Sequence, residues 1–331
     1  MKSKHYVSVG SGLVNAALSG STSKGIKKGR YVLLVGDSES AKSWVCASVL
    51  AEASVNPHFK DYALVYQDPE NGMTANIEQF FGKELAKRIQ FEYPDSIEHS
   101  YDIMENYLDQ GPCIIIQDSN DALDSEADLE KSEEDKKKRR EGKDIGGSYG
   151  TGKAKVNSLR LKPIVKKLKK TNSILIIISQ TRDNLAQFTF DKKTRSGGKA
   201  LKFYAHMELW TSSIGKITKT INGKTRTIGA NIQFDVKKNR STGWHGKVEV
   251  PFFRKYGLDD IGSCIDFLVE EKHWSKGKVI KAPELKLEGS KEKLIADIEA
   301  KDKVEKLYEV VQSVWDQIEE ASLVKRKPKY G

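Results

Sequence analysis

Residues 31–43 read YVLLVGDSESAKS, and the fold is decided here. The apolar run Tyr31, Val32, Leu33, Leu34 and Val35 has the length and composition of a buried strand. Gly36 opens an eight-residue turn that closes on Lys42 and Ser43, and WVCASVLAEA (44–53) follows with helix-like apolar spacing. Strand, turn and helix come in the order a phosphate cradle requires. Backbone N–H groups and a helix N-terminus face the anion, a lysine reaches the outer phosphates, and the next hydroxyl binds Mg²⁺. The cradle would comprise Gly36, Asp37, Ser38, Glu39, Ser40, Ala41, Lys42 and Ser43. It departs from G-x-x-x-x-G-K-[ST] at Ala41, where a second glycine is usual; a surface turn that happens to contain Lys-Ser is the competing reading of the segment alone.

Working outward, 331 residues suit one α/β domain with appendages better than two equal domains. The formal charge of +10 and a pI near 9.2 favour a polyanionic partner, although solubility alone would also explain them. Cys46, Cys113 and Cys264 lie far apart in apolar segments, which predicts reduced core residues and neither a disulfide set nor a metal site. The six histidines lack metal-ligand spacing, and His206 in HMELW reads as packed in a strand. No apolar run approaches the roughly 18 residues that span a bilayer. MKSKHYVSVGSG lacks the apolar centre of a signal peptide, so a cytoplasmic protein without a membrane partner is expected.

Downstream of the cradle, Ala63 to Tyr66 form a second apolar strand ending in Asp68 and Glu70. Carboxylates at the C-terminal end of a strand beside a phosphate loop sit where open α/β sheets place ligand chemistry. CIIIQDS (113–119) repeats the pattern and ends in Asp118, as in the Mg²⁺-coordinating acidic strand of P-loop NTPases. SILIIISQ (173–180) is a fourth buried strand ending in Gln180. Residues 76–108 alternate helical and loop character, and residues 1–20 read as a short polar segment with one apolar patch.

The charge-dense run at 126–144 reads as a solvated helix and flexible loop at least as readily as a functional insert. Residues 146–155, with Tyr149, Lys153 and Lys155, suit contact with a nucleic-acid backbone. VNSLRLKPIVKKLKK (156–170) has helical spacing that Pro163 should kink or delimit. RDNLAQFTFDKKTRSGG (182–198) is a loop in which Arg182, Lys192, Lys193 and Arg195 can neutralise phosphates while Phe188 stacks on bases. Asn222-Gly223 marks a hairpin, and DVKKNRSTG places Lys237, Lys238 and Arg240 together. Residues 276–331 stand apart. Their segment 291–321 reads as one amphipathic helix with Leu307, Val311, Val314 and Ile318 in its stripe, more readily packed on the core than docked on a partner.

This order of parts resembles the RecA-type recombinases, and most closely their bacteriophage UvsX-like branch, from about Val14 to about Trp274. NAALSG (15–20) and the loop GDSESAKS (36–43) are similar to the UvsX form, which also lacks the second loop glycine. GGKALKFYA (197–205) is similar to bacterial RecA. The resemblance implies an α/β RecA-like P-loop ATPase core at 21–275 with a mostly parallel central sheet. A short N-terminal segment (1–20) would precede it and a helical, basic C-terminal region (276–331) would follow.

It further implies ATP and Mg²⁺ as cofactors, with Lys42 and the loop on the triphosphate and Ser43 and Asp118 on the metal. Glu70 would orient and deprotonate the attacking water, and Gln180 would sense the γ-phosphate. Lys238 and Arg240 match paired basic residues that reach the nucleotide of the adjacent subunit in RecA filaments; without the family they read as surface charge. The two DNA loops would be near 143–155 and 183–197, bringing in Gly197 and Gly198. The implied activity is a DNA-dependent ATPase that forms filaments on single-stranded DNA and exchanges strands with a homologous duplex. A single-strand-binding protein or loading mediator is an implied partner. Departures are a shorter N-terminal segment than the one by which RecA protomers join, Ile77 near the family's adenine-stacking tyrosine, and the insert at 126–144. A RecA-fold helicase, or an ATP-gated DNA-binding or annealing accessory protein, uses many of the same parts; the segment 197–205 favours the recombinase.

Overall fold

The computed structural model describes residues 2–141, 152–183, 193–195 and 197–327. A two-residue strand β1 (Tyr6–Val7) and helix α1 (Gly12–Ser19) lead to β2 (Ile26–Lys27), which pairs with β1. Then come β3 (Arg30–Gly36), α2 (Lys42–Ser54), β4 (Ala63–Gln67), α3 (Ile77–Phe81), α4 (Lys83–Arg88), β5 (Ile89–Glu92), α5 (Ile97–Gln110) and β6 (Cys113–Gln117). The middle of the chain holds α6 (Glu126–Arg140), α7 (Gly152–Thr171), β7 (Ile174–Asp183), β8 (Lys193–Arg195) and α8 (Lys199–Tyr204). Next are β9 (Met207–Ile221), β10 (Lys224–Asn239), β11 (Gly246–Phe253), β12 (Gly257–Leu258) and α9 (Asp260–Glu270). The C-terminal part adds β13 (Ser275–Lys276), β14 (Ile280–Ala282), β15 (Leu287–Gly289), α10 (Lys291–Ala300) and α11 (Val304–Ser322).

The large sheet runs β12-β11-β10-β9-β3-β7-β6-β4-β5, parallel from β9 to β5 and antiparallel from β9 to β12. Helices cover both faces, so the central strands are continuous apolar runs. In β3, Val32 and Leu34 join a core with α1, α2, α9 and α11, while Tyr31, Leu33 and Val35 join another with α5, α7 and α8. That split is the period-2 alternation of a strand buried on both sides. All three cysteines are free and buried. No helix among the described residues is long and apolar enough to cross a membrane.

Several elements differ from the expectations. Residues 12–19 form a fully packed helix whose first N–H, at Gly12, donates to Asp260 Oδ1 at 2.6 Å; its apolar stretch is too short to show periodicity. Residues 89–92 form an edge strand of mixed polarity where only helix and loop were expected. Pro163 does not end the helix: α7 runs from Gly152 to Thr171 with the proline inside it. Pro163 and Leu159, whose carbonyl loses its helical N–H donor to the proline, are both exposed, so water can take the place of that donor. Residues 152–155 are the first turn of that helix. The C-terminal amphipathic segment is two helices, broken around Asp302 at φ 50, and a small sheet β13-β14-β15 precedes them. Leu307, Val311 and Val314 are buried as the stripe predicts, and Trp315 packs against Trp244 with tilted rings 5.3 Å apart. His206 is half-buried just ahead of β9 and not within it. The charged run does form a helix, with Ser125 as N-cap and Lys137, Lys138, Arg139 and Arg140 at its C-terminal end, where the dipole favours cations.

Candidate nucleotide site and its neighbouring loops

The phosphate-loop segment joins the C-terminal end of β3 to α2. Gly36 is required by close approach: a Cβ there would lie 2.5 Å from the Thr211 carbonyl oxygen and 2.6 Å from Ser40 Oγ. Ala41 sits in the left-handed region at φ 63, which explains why a glycine is usual there. It is also the N-cap of α2 and supplies no side-chain acceptor. The first N–H groups of that helix therefore remain available to an anion.

Lys42 is buried, and its Nζ donates to the carbonyls of Gly36 at 3.0 Å and Asp37 at 2.6 Å. Burial lowers its pKa, partly opposed by the carboxylates of Asp118, Asp37 and Asp121. Ser43 Oγ and Tyr66 Oη both donate to Asp118 Oδ2, each at 2.5 Å. Burial, followed by the Asp118 charge, pushes the Tyr66 phenol well up, so Tyr66 stays a neutral donor. Glu70 is exposed and accepts from Ser119 Oγ at 3.2 Å. Asp68, its neighbour in the sequence motif, is instead spent on local structure, accepting from the N–H groups of Gly72 and Met73 at 2.9 Å each.

Gln180 pairs in register with Gly36, and its N–H donates to Asp121 Oδ2 at 2.7 Å. One residue on, Thr181 Oγ1 bonds to Asp37 Oδ1, tying β7 to the phosphate loop. Thr181, Asp121, Tyr66 and Thr211, whose hydroxyl is 2.8 Å from Ser40 Oγ, complete the site and were not singled out from sequence. They come from four separate strands or turns, and only the sheet order brings them together. A cavity of about 400 Å³ opens beside the loop, lined by Glu39 to Trp44 on one side and by Gly229, Ala230, Phe252 and Arg254 on the other.

Lys238 and Arg240 are not part of this cluster. Lys238 pairs with Glu208, level with Leu33 in the middle of β3, and the Arg240 N–H donates to the His206 carbonyl, whereas Gly36 at the C-terminal end of β3 pairs with Thr211, so both cations are set back along the strands from the phosphate loop. Lys238 Nζ donates to the carbonyls of Lys202 at 2.5 Å and Phe203 at 3.1 Å, and Arg240 to Phe203 at 3.2 Å, at the C-terminal end of α8. Both cations thus complement a helix dipole within their own chain.

Of the residues expected at DNA, Phe188 and Lys192 lie outside the described residues, as does 143–151. Lys193 and Arg195 lie in β8, which pairs with β7 as a hairpin through Arg182↔Thr194. Lys153 is mostly buried, donating to the Asp121 carbonyl at 3.1 Å with Asp124 at 3.7 Å, whereas Lys155 and Arg182 are exposed. Gly197 and Gly198 have φ 83 and 80, and a Cβ at Gly198 would lie 2.9 Å from that of Ala154. Those glycines let the start of α8 press against α7. Among the described residues, no group of three or more His, Cys, Asp or Glu converges as a metal cage.

Comparison with known proteins agrees with this geometry. The family model of the RecA N-terminal domain matches residues 2–259. Relatives include Protein RecA of Chloroherpeton thalassium, 29% identical over 247 residues covering 74% of this chain and 63% of that protein. Protein RecA of Bdellovibrio bacteriovorus is 26% identical over 246 residues, covering 74% and 60% respectively. Protein RecA of Laribacter hongkongensis is 27% identical over 256 residues, covering 76% and 66%. The matched part spans under two thirds of each relative's length. With the phosphate loop, the acidic strand end and the sheet order in agreement with that match, the chain belongs to the RecA family.

Proposed function

We propose that this protein is an ATP-dependent DNA recombinase that assembles on single-stranded DNA, pairs it with homologous duplex and hydrolyses ATP to ADP and phosphate. The observation that carries the reading is the convergence of Lys42, Ser43, Asp118 and Glu70 at the ends of adjacent strands, with Gln180 in register beside Gly36. The residues fit a nucleotide with its metal: an uncapped helix N-terminus, a buried lysine, and two hard oxygen donors on Ser43 and Asp118. Mg²⁺ would be held by Ser43 and Asp118 together with phosphate oxygens, and when bound would neutralise charge on the transferring phosphoryl group.

The chain's own groups do the rest. Loop N–H groups and Lys42 bind the phosphates; Lys42 leaves its two carbonyl acceptors to do so. Glu70, exposed and steadied by Ser119, accepts the proton of the attacking water as its oxygen bonds to the γ-phosphorus and the bond to the ADP oxygen breaks. Gln180 begins the strand segment that continues into the β7–β8 hairpin, so nucleotide state and DNA contact share one element. Lys238 and Arg240, remote from their own chain's loop, act on the nucleotide of a neighbouring copy in a helical filament. The second DNA loop, near 183–197, grips backbone and stacks bases, while sequence choice rests on base pairing.

The test is joint-molecule formation between a single strand and homologous supercoiled duplex by pure protein with ATP and Mg²⁺. Joints are expected with the wild type and not with Lys42→Ala. Equal joints from both proteins would refute the nucleotide mechanism, and unwinding of a forked duplex without joints would indicate a helicase.

A further inference from the structure

Four amide side chains are fully buried where the sheet meets α5 and α7. They are Gln67 at the end of β4, Gln117 in register beside it at the end of β6, Asn120 in the turn that follows, and Asn157 in α7. Amides taken out of water must be bonded, and each of these is. Ser100 Oγ donates to Gln67 Oε1 at 2.5 Å and accepts from Gln117 Nε2 at 2.6 Å. Asn120 Nδ2 donates to Gln117 Oε1 at 3.2 Å, and Asn120 and Asn157 exchange donors at 3.4 Å in both directions. Tyr101 Oη donates to Asn157 Oδ1 at 2.9 Å. The series ends where Asn157 Nδ2 donates to the Gly197 carbonyl at 3.0 Å. Gly197 is fitted to that end, since a Cβ on it would lie 2.8 Å from Asn120 Oδ1.

The turn after β6 thus holds a different partner at each consecutive residue. Asp118 accepts from Ser43, Ser119 donates to Glu70, and Asn120 bonds to Asn157, which carries Gly197. Asp121 accepts the Gln180 N–H on its carboxylate and Lys153 Nζ on its carbonyl. Gln180 stands just before the segment 183–197 and Gly197 closes it, so both ends of that segment are tied to one short turn. Apolar side chains would fill the same space with less desolvation, but they would let neighbours slide. A bonded buried amide fixes a distance and a direction.

We propose that Asn157 is a positioning residue, which registers the closing end of the second DNA loop, at Gly197, with the turn that aims Glu70 and Asp118. The proposal rests on the reading that the protein is a DNA-dependent ATPase. A loop held only at Gln180 moves at its far end without disturbing Ser119. With Gly197 held on Asn157 and Asn120, a shift of that far end acts on the residue next to the one that steadies Glu70. Polynucleotide at the loop and nucleotide at the cradle are therefore linked through this contact in addition to Gln180.

The experiment measures binding of a labelled single strand by the full chain with and without a non-hydrolysable ATP analogue and Mg²⁺. The ratio of the two affinities is the coupling factor, expected at about 5- to 150-fold for wild type. Asn157→Leu keeps the side-chain volume and removes the bonds to Asn120 and Gly197. It should bring the factor to within about twofold of one, while each ligand alone binds within about threefold of wild type. Tyr101→Phe takes one bond from the same network and leaves the contact between Asn157 and Gly197, so it should lower the melting temperature and keep the wild-type factor. The double variant Asn120→Leu, Asn157→Leu replaces both facing amides, which is milder than orphaning one, and should lose coupling likewise. With wild type coupled, a wild-type factor in either Leu variant, or an equal loss in Tyr101→Phe, would overturn this proposal alone. So would failure of both Leu variants to fold, which would make the network purely structural. A wild type that binds neither strand nor analogue, or binds them without coupling, would overturn the recombinase reading as well.

Discussion

Ser43 Oγ donates to Asp118 Oδ2 at 2.5 Å, joining the first turn of α2 to the end of β6 across the intervening β7. The same carboxylate oxygen takes a second hydroxyl from Tyr66. Two oxygen donors suited to a hard cation are thereby held in contact by the fold itself. Asp118→Asn keeps the shape and removes the negative charge. It should raise the magnesium needed for half-maximal phosphate release about 10- to 100-fold. A magnesium requirement equal to that of the wild type would remove Asp118 from the metal site.

Gly36 tests the packing behind the loop. Gly36→Ala drives a methyl group into Thr211 and Ser40, and overpacking of this kind costs about 1–3 kcal/mol. A lowered melting temperature and weakened nucleotide binding should appear together, because the strain falls on the segment that carries Lys42. Unaltered stability would mean that Thr211 moves aside freely.

His206 supplies a pH dependence. Its pKa is held down to about 4 by burial first, then by Arg30, Arg240, Lys27 and Lys238, and its ring lies 3.0 Å from Ser241 Oγ. Between about pH 6.5 and 4 the unfolded chain takes up a proton that the folded chain resists, so stability falls as pH falls through that window. Urea midpoints of His206→Gln should therefore show a shallower fall over that range than those of the wild type. Parallel profiles would show that His206 contributes nothing to the slope.

Legibility in the sequence followed the range of the interactions. β3, β4, β6 and β7 were readable because burial on both faces writes an unbroken Val/Leu/Ile run. Asn222-Gly223 was readable because its backbone demands those residues. Lys42, Ser43 and Asp118 stood at fixed offsets from such runs. Thr181, Asp121 and Thr211 were not legible, since each reaches the loop only through strand order or a turn that no local pattern encodes. α1 escaped because GLVNAALS is buried on nearly all sides and so lacks a polar face. That α7 would continue past Pro163 was not legible, because the cost of proline in a helix depends on whether water can reach the freed carbonyl.

The placement of Lys238 away from its own chain's phosphate loop predicts complementation between chains. Glu70→Gln and Lys238→Ala should each abolish DNA-stimulated phosphate release alone. Mixed in equal amounts, they should regain about a quarter of the wild-type rate, the share of head-to-tail contacts that pair an intact Glu70 with an intact Lys238. No recovery on mixing would place Lys238 outside the neighbour's site.

The central claim is that a triphosphate held by the Gly36–Ser43 loop is hydrolysed in response to bound polynucleotide. Phosphate release by the full chain with ATP and Mg²⁺, with and without single-stranded DNA, tests it most directly when wild type and Lys42→Ala are compared. The account predicts release that rises severalfold on adding DNA to the wild type and stays at background for Lys42→Ala. Release that ignores DNA, or that survives in Lys42→Ala, would contradict it.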